Sequence, residues 1–334
     1  MKKFKVLLTD RIDMTGIRIL KKVAYIRYAS SYAEDILIKE AVDVHGIIVR
    51  VPAVITRRII ENAANLKVIG RFGVGTDNID VAAAAEKGIV VTFTPAANTL
   101  SVAEYTVTLM FALAKHVLQA DAALRKHDWA MRLNYPGIEL AGKTLGIVGM
   151  GEIGSEVARL AKLLGMQVIY CDIARRDEIE KRLKVEYVPF TRRDKAAGLN
   201  VPGKFLAESD FVSLHAALTS GTEGLIGKKE IALMKDGAFF INTARGKLVK
   251  EQELYLALKT GKLAGAGLDV FAEEPPYDSP LLSLQNTIVG PHVAALAKDA
   301  LRRVSMWVAE DMVRVLKGKR PLHPVNPQVL DRQK

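Results

Sequence analysis

The stretch Thr144-Leu145-Gly146-Ile147-Val148-Gly149-Met150-Gly151-Glu152-Ile153-Gly154 decides the fold. Its first five residues read as a buried strand, and Val157, Leu160, Ala161 and Leu164 then recur at helical spacing. Between them stands the G-x-G-x-x-G turn of dinucleotide-binding units. Gly149 permits the tight turn, Gly151 lets the backbone approach a pyrophosphate, and Gly154 lets helix pack on strand. The start of the helix, at Glu152 and Ile153, offers unpaired amides to the phosphates. Asp172 closes the next strand, where a carboxylate accepts hydrogen bonds from ribose hydroxyls and repels a 2′-phosphate. NAD is therefore favoured over NADP, although Arg175 and Arg176 are the kind of neighbours that NADP sites use. The bland alternative is a glycine-rich turn in an ordinary βαβ unit. Strand, helix and acidic residue in register weigh against it.

Outward from this turn, short β-rich runs alternate with helical stretches almost from end to end, the pattern of parallel sheets covered by helices. Before it, FKVLLTD, AYIRYA, GIIVR, LKVIGRFG and IVVTFTP read as strands of one α/β unit. Ser101-Val102-Ala103-Glu104 reads as a capping box opening a long helix that nothing stops before about His127. After it, QVIYCD, VEYVPF, FVSLHAA, AFFINTA, AGAGLDV and NTIVGPHV complete a second, larger unit. A last helix over 299–317 ends at Gly318, and the tail KRPLHPVNPQVL, with three prolines, is expected to be non-helical and to wrap back over a surface.

With 334 residues, 49% of them apolar, the chain can bury two cores without covalent staples. Cys171 is the single cysteine, which excludes an intrachain disulfide. The first apolar run is too short for a secretory signal, and no uncharged run reaches the roughly 18 residues of a membrane span. A soluble cytoplasmic protein is the expectation. The net charge of +11 suits small anionic ligands as well as nucleic acid. The densest basic segment, from Arg175 to Lys195, is mixed with Asp177, Glu178, Glu180, Glu186 and Asp194 and reads as a solvated surface rather than a nucleic-acid or membrane patch.

Three segments place polar groups where strands of the second unit end: Asn242-Thr243-Ala244-Arg245-Gly246, then Asp269 with Glu273-Glu274-Pro275, then Gly290-Pro291-His292. Ligands bind at the carboxyl ends of strands in open parallel sheets. An arginine, a carboxylate and a histidine are what hydride transfer from a 2-hydroxy acid needs: a grip on the substrate carboxylate, an acceptor for the hydroxyl proton, and an anion to orient that acceptor. Taken singly, each is more often structural. Together they form a complete set, and no metal is called for.

These residues resemble the D-isomer-specific 2-hydroxy acid dehydrogenase family, which includes phosphoglycerate dehydrogenases, glyoxylate and hydroxypyruvate reductases, and formate dehydrogenase. GMGEIG, INTARG, LDVFAEEP and GPH in this order carry the resemblance, which runs from about Val6 to Asn326. It implies an NAD-dependent oxidoreductase with two doubly wound parallel-sheet α/β domains. A Rossmann cofactor domain, 99–292, would be inserted into a flavodoxin-like substrate domain made of 1–98 and 293–334. By the same resemblance Arg245 binds the substrate carboxylate, Glu274 pairs with the acid-base group His292, and Asp269 lies near the nicotinamide carboxamide. Thr243 and Ala244 contact the cofactor, and His215 and Thr219 line the adenine side. Arg50, Arg71, Gly73, Val74, Gly75 and Asn98 match substrate-facing positions.

Within the family the segment from Gly70 to Asp80 and the preceding Ile47-Ile48-Val49-Arg50 lean toward 3-phosphoglycerate as substrate, hence serine biosynthesis. The short length and the HPVNP tail suit glyoxylate or hydroxypyruvate reductases. An NADH-sensing corepressor is the reading from outside enzymology. A homodimer through the cofactor domain is implied, and no regulatory domain is expected after Asn326. The chain departs from the family pattern between Arg175 and Leu206, which is longer and more basic, and after His292, where Val293-Ala294-Ala295 replaces a glycine- or serine-bearing turn.

Overall fold

A computed structural model describes residues 3–133, 136–192 and 199–331. The chain divides into two compact units, Met1–Asn98 with Leu296–Lys334, and Thr99–Ala295.

In the first unit five strands, β1 (Phe4–Leu8), β2 (Ala24–Tyr28), β3 (Gly46–Val49), β4 (Val68–Arg71) and β5 (Val90–Thr92), are ordered β2-β1-β3-β4-β5. Every pairing is parallel, which gives the flavodoxin-like doubly wound order. Such a sheet is covered on both faces, so β3 and β4 are buried at every residue and their sequences are continuously apolar up to Arg71. The two-residue period of a strand divides the core. Leu7, Ile47, Val49 and Ile69 pack in one layer, and Val6, Leu8, Ile48 and Val68 pack in the other with Val304, Val308 and Met312 of the helix Lys298–Leu316.

The second unit contains β6 (Thr144–Val148), β7 (Gln167–Cys171), β8 (Glu186–Tyr187), a small antiparallel pair β9 (Thr191–Arg192) and β10 (Leu199–Asn200), and then β11 (Phe211–Leu214), β12 (Ala238–Asn242), β13 (Leu263–Leu268) and β14 (Thr287–Val289). The main sheet runs β14-β13-β12-β11-β6-β7-β8, parallel throughout. The chain enters at β6, builds outward to β8, and returns to the other side of β6 at β11. The strand order therefore reverses between β6 and β11, the crevice where dinucleotides bind in this architecture.

Two expectations are corrected. The long helix from Ser101 to about His127 is two helices, Thr99–Ala114 and Val117–Arg125, bent by 58°. His116 breaks it with φ 52°, a left-handed conformation in which His is among the commoner non-glycine residues. The carbonyl of Ala114, left without a helical donor, accepts the Ile138 N–H at 2.8 Å. The helix begins at Thr99, so Ser101 is a buried residue within it and the capping box does not form. The tail is not wholly non-helical either. Gln328–Asp331 forms one turn directly after Pro327, a position where the missing N–H of proline costs nothing. Before that turn the tail lies on β5: Asn326 accepts from the Val91 N–H and donates to the Ile89 carbonyl.

Helix Asp177–Leu183 has no buried residue, and Arg175 is paired with Asp177 and Glu180 at 3.1 and 2.8 Å, so the described part of the basic segment is an exposed face. Residues Arg193, Asp194 and Lys195 of that segment lie outside the described residues. No single helix among the described residues is long and apolar enough to cross a membrane.

Candidate active site

The glycine turn follows β6 as its sequence requires. Gly149 has φ 96°, and a Cβ there would lie 2.7 Å from the Ala216 nitrogen; one on Gly154 would lie 2.1 Å from the Gly149 carbonyl oxygen. Neither position admits a side chain. Beside Gly151 the space is open, and Gly151 caps the helix Glu152–Leu163, whose first-turn amides have no acceptor within the helix. The turn thus presents bare backbone donors at the positive end of a twelve-residue helix, which fits a pyrophosphate.

Asp172 follows β7, is buried, and accepts the Met150 N–H through Oδ2 at 2.7 Å and the Ala174 N–H through Oδ1 at 3.1 Å. It therefore holds the glycine turn, with lone pairs left for hydroxyl donors. Arg175 donates to Glu180 from both Nε and Nη2, so its guanidinium is engaged within its own segment. His215, after β11, adjoins Gly149 through its backbone and meets Ser213 Oγ at 2.9 Å through Nε2. Burial pushes its pKa down to about 3, so the ring is neutral at physiological pH. Thr219 belongs to the following turn, where its N–H donates to Thr222 Oγ1. The arrangement fits a dinucleotide laid across the crevice.

At the ends of β12, β13 and β14 the remaining groups collect. Asn242 is buried and its side chain bonds both the Arg245 carbonyl and the Ala244 N–H, which curls the chain so that Arg245 follows the strand directly. Thr243 Oγ1 lies 2.9 Å from Thr106 Oγ1. A Cβ on Gly246 would fall 1.8 Å from the Phe271 carbonyl carbon, so only glycine lets this turn press against the segment that leads to Glu274.

His292 Nδ1 is 2.8 Å from Glu274 Oε2, and Glu274 Oε1 accepts the Phe271 N–H at 3.2 Å. Burial opposes the charge on Glu274, but the His292 hydrogen bond, the Phe271 amide and the Arg245 guanidinium outweigh it and hold the carboxyl below its usual range. Arg245, Glu274 and His292 are thus brought into one electrostatic cluster. Glu273 is the neighbour that does not join the pair with His292. Asp269 is 1% exposed and accepts from the Val293 and Ala294 N–H groups at 2.9 and 2.7 Å. Burial pushes its carboxyl above the ordinary range against the pull of those amides.

The substrate-facing candidates of the first unit gather at the carboxyl ends of β3, β4 and β5. Arg50 donates to the Arg11 carbonyl, lies 3.8 Å from Asp10 and covers the Phe72 ring. Arg71 is buried; its Nε donates to the Gly75 carbonyl at 2.6 Å and its Nη1 to the Phe72 carbonyl at 2.6 Å. That guanidinium shapes the loop holding Gly73, Val74 and Gly75. Gly73 is tied to Thr94, and Val74 is exposed. Asn98 is buried with Oδ1 lacking a hydrogen-bond partner among the described residues.

Sequence reasoning gave Ser101 a capping role and passed over Thr106; both are polar residues on the buried face of the helix Thr99–Ala114. The signal was available, because a polar group on an apolar helix face must find a partner. Which partner it finds is a tertiary fact.

The family model for the D-isomer specific 2-hydroxyacid dehydrogenase, NAD binding domain, matches residues 107–294. D-3-phosphoglycerate dehydrogenase of Methanocaldococcus jannaschii is 42% identical over 99% of this chain, and the chain spans 61% of that relative's length. Glyoxylate reductase of Thermococcus litoralis is 37% identical over 98% of both chains. The structure of D-lactate dehydrogenase from Aquifex aeolicus, complexed with NAD and lactic acid, superposes with a TM-score of 0.80 at 29% identity, covering 94% of this chain and 96% of that one. The glycine turn, the three strand-end segments and these likenesses agree: the chain belongs to the D-isomer specific 2-hydroxyacid dehydrogenase family and carries its nicotinamide-cofactor domain.

Proposed function

We propose that the protein is an NAD-dependent D-2-hydroxyacid dehydrogenase acting on 3-phosphoglycerate and phosphohydroxypyruvate. The observation that carries the enzymatic reading is the His292–Glu274 pair beside Arg245, a proton-transfer group with its orienting anion and a carboxylate grip. When bound, the nicotinamide supplies or accepts the hydride. Arg245 holds the substrate carboxylate by a charge-assisted, bidentate contact. Glu274 occupies Nδ1 of His292, so the proton passes at Nε2, to the oxo oxygen in reduction and from the hydroxyl in oxidation. Asp172 would receive the ribose hydroxyls and disfavour a 2′-phosphate, while the engagement of Arg175 with Glu180 withdraws one competing cation. Arg50, Arg71, the Gly73–Gly75 loop and Asn98 form the substrate side.

The likeness to phosphoglycerate dehydrogenase supports this substrate, and the end-to-end likeness to a glyoxylate reductase supports the second reading, a glyoxylate or hydroxypyruvate reductase. A homodimer through the cofactor unit is supported by the helix Val117–Arg125, which has no buried residue, and by the exposed Leu118, Leu124, Trp129 and Leu133 around it. A reducing, cytoplasmic setting suits the lone buried Cys171. Reduction of phosphohydroxypyruvate, hydroxypyruvate and glyoxylate by purified protein, followed by NADH and NADPH absorbance, tests all of this. Highest specificity for the phosphorylated acid with NADH is expected. Preference for glyoxylate transfers the case to the second reading, and cofactor binding without turnover of any acid transfers it to an NADH-sensing corepressor.

A further inference from the structure

His292 sits in a backbone conformation uncommon for any residue with a side chain, histidine included. Its φ is 57°, in the left-handed region, and no glycine follows to relax the turn. Something outside the residue must hold it. Three bonds come from one side: the His292 N–H donates to the Asp269 carbonyl at 2.9 Å, and the two Asp269 carboxylate oxygens receive the Val293 and Ala294 N–H groups. Asp269 is anchored in turn, its own N–H donating to the Asn242 carbonyl. The opposite side is closed by Ser101, buried in the first turn of the helix Thr99–Ala114, whose Oγ donates to the Ala294 carbonyl at 2.7 Å. Both the N–H and the C=O of Ala294 are thereby tied to side chains from distant segments.

We propose that Ser101 is a positioning residue for His292, acting through the Ala294 carbonyl as one jaw of a brace whose other jaw is Asp269. The inference rests on the catalytic reading of His292. The brace holds the backbone so that Nδ1 stays on Glu274 and Nε2 remains aligned for proton transfer; the reactive geometry tolerates little misplacement. Val293-Ala294-Ala295 supplies no side-chain hydrogen bond of its own, so alignment passes to this external clamp. Neither jaw need touch substrate to act.

Ser101→Ala removes the donor with little change in volume, and Ser101→Thr restores a hydroxyl. Turnover by Ser101→Ala is expected to fall about five- to tenfold, the scale of one neutral hydrogen bond, with the KM for NADH within about twofold of wild type. Ser101→Thr should recover most of the loss. In a His292→Ala background Ser101→Ala should cost nothing further, because the group it aligns is gone. Unchanged turnover in Ser101→Ala, or an equal loss in the His292→Ala background, overturns the brace and leaves the catalytic reading intact. Full turnover by His292→Ala alone overturns the catalytic reading, and the brace with it.

Discussion

Glu274 Oε2 and His292 Nδ1 meet at 2.8 Å although eighteen residues separate them, because β13 and β14 are adjacent parallel strands whose carboxyl ends open on the same edge. On the proposed mechanism this contact leaves Nε2 as the nitrogen that moves the proton. His292→Ala should lower turnover by about 100-fold or more while leaving NADH binding, read by fluorescence titration, nearly unchanged. Glu274→Gln keeps the shape but removes the anion, so turnover should fall while the KM for NADH holds. Wild-type turnover in His292→Ala would falsify the assignment.

Arg245 should serve every 2-hydroxy acid, and a substrate bearing a distant phosphate needs a second cation. If Arg50 is that cation, Arg50→Ala should lower kcat/KM for phosphohydroxypyruvate about 10- to 150-fold more than for glyoxylate, the worth of one charge-assisted hydrogen bond. Arg245→Ala should damage both. Because Arg50 also bonds the Arg11 carbonyl and covers Phe72, a thermal melt of the variant must accompany the kinetics. An unchanged substrate ratio removes the phosphate role.

If Asp172 selects the cofactor as proposed, it does so while holding the glycine turn through its bond to the Met150 N–H. Asp172→Asn retains an oxygen acceptor for that amide and removes the charge, so the NADH-to-NADPH ratio of kcat/KM should narrow. Asp172→Ala should in addition weaken both cofactors, because Met150 N–H then loses its acceptor. If Asp172→Asn leaves the ratio at its wild-type value, the carboxylate does not select the cofactor.

Gly246→Ala forces a methyl group to within 1.8 Å of a backbone carbonyl carbon that no rotamer change can move. Destabilisation of about 3 kcal/mol or more is expected, at the upper end for overpacking, together with loss of turnover as Arg245 is displaced. Denaturant melts provide the check; a midpoint equal to wild type would show that the turn yields without cost.

His215 is held neutral in the folded state down to about pH 3, whereas in the unfolded chain it takes a proton near 6.5. Between those values the unfolded state binds the extra proton, so stability falls as pH falls, by at most about 1.4 kcal/mol per pH unit from this group. Above 6.5 both states are neutral and the contribution is flat. His215→Gln should flatten the acid side of the melting-temperature profile while leaving the neutral side in place. An identical slope in variant and wild type would assign the acid sensitivity to other groups.

Much of this protein is legible one residue after another. The glycine turn, the apolar strands and the helix over 152–163 are local: each depends on steric freedom at a few φ angles or on periodic burial, which the sequence determines by itself. The candidacy of Arg245, Glu274 and His292 was likewise legible, because only certain side chains can hold a carboxylate or move a proton. What the tertiary structure alone decided is pairing. The Glu274–His292 pair was implied by resemblance and appears as a contact only in the fold; that Asp172 holds Met150, that Arg71 is buried in its own loop, and that Ser101 leaves the capping role to bond Ala294 are facts of the folded chain. The break at His116 has the same origin. The carbonyl of Ala114, left without a helical donor by the turn at His116, is taken by the N–H of Ile138 from 24 residues further on. Hydrogen bonds between distant segments reach across a distance that periodicity and local propensity do not encode.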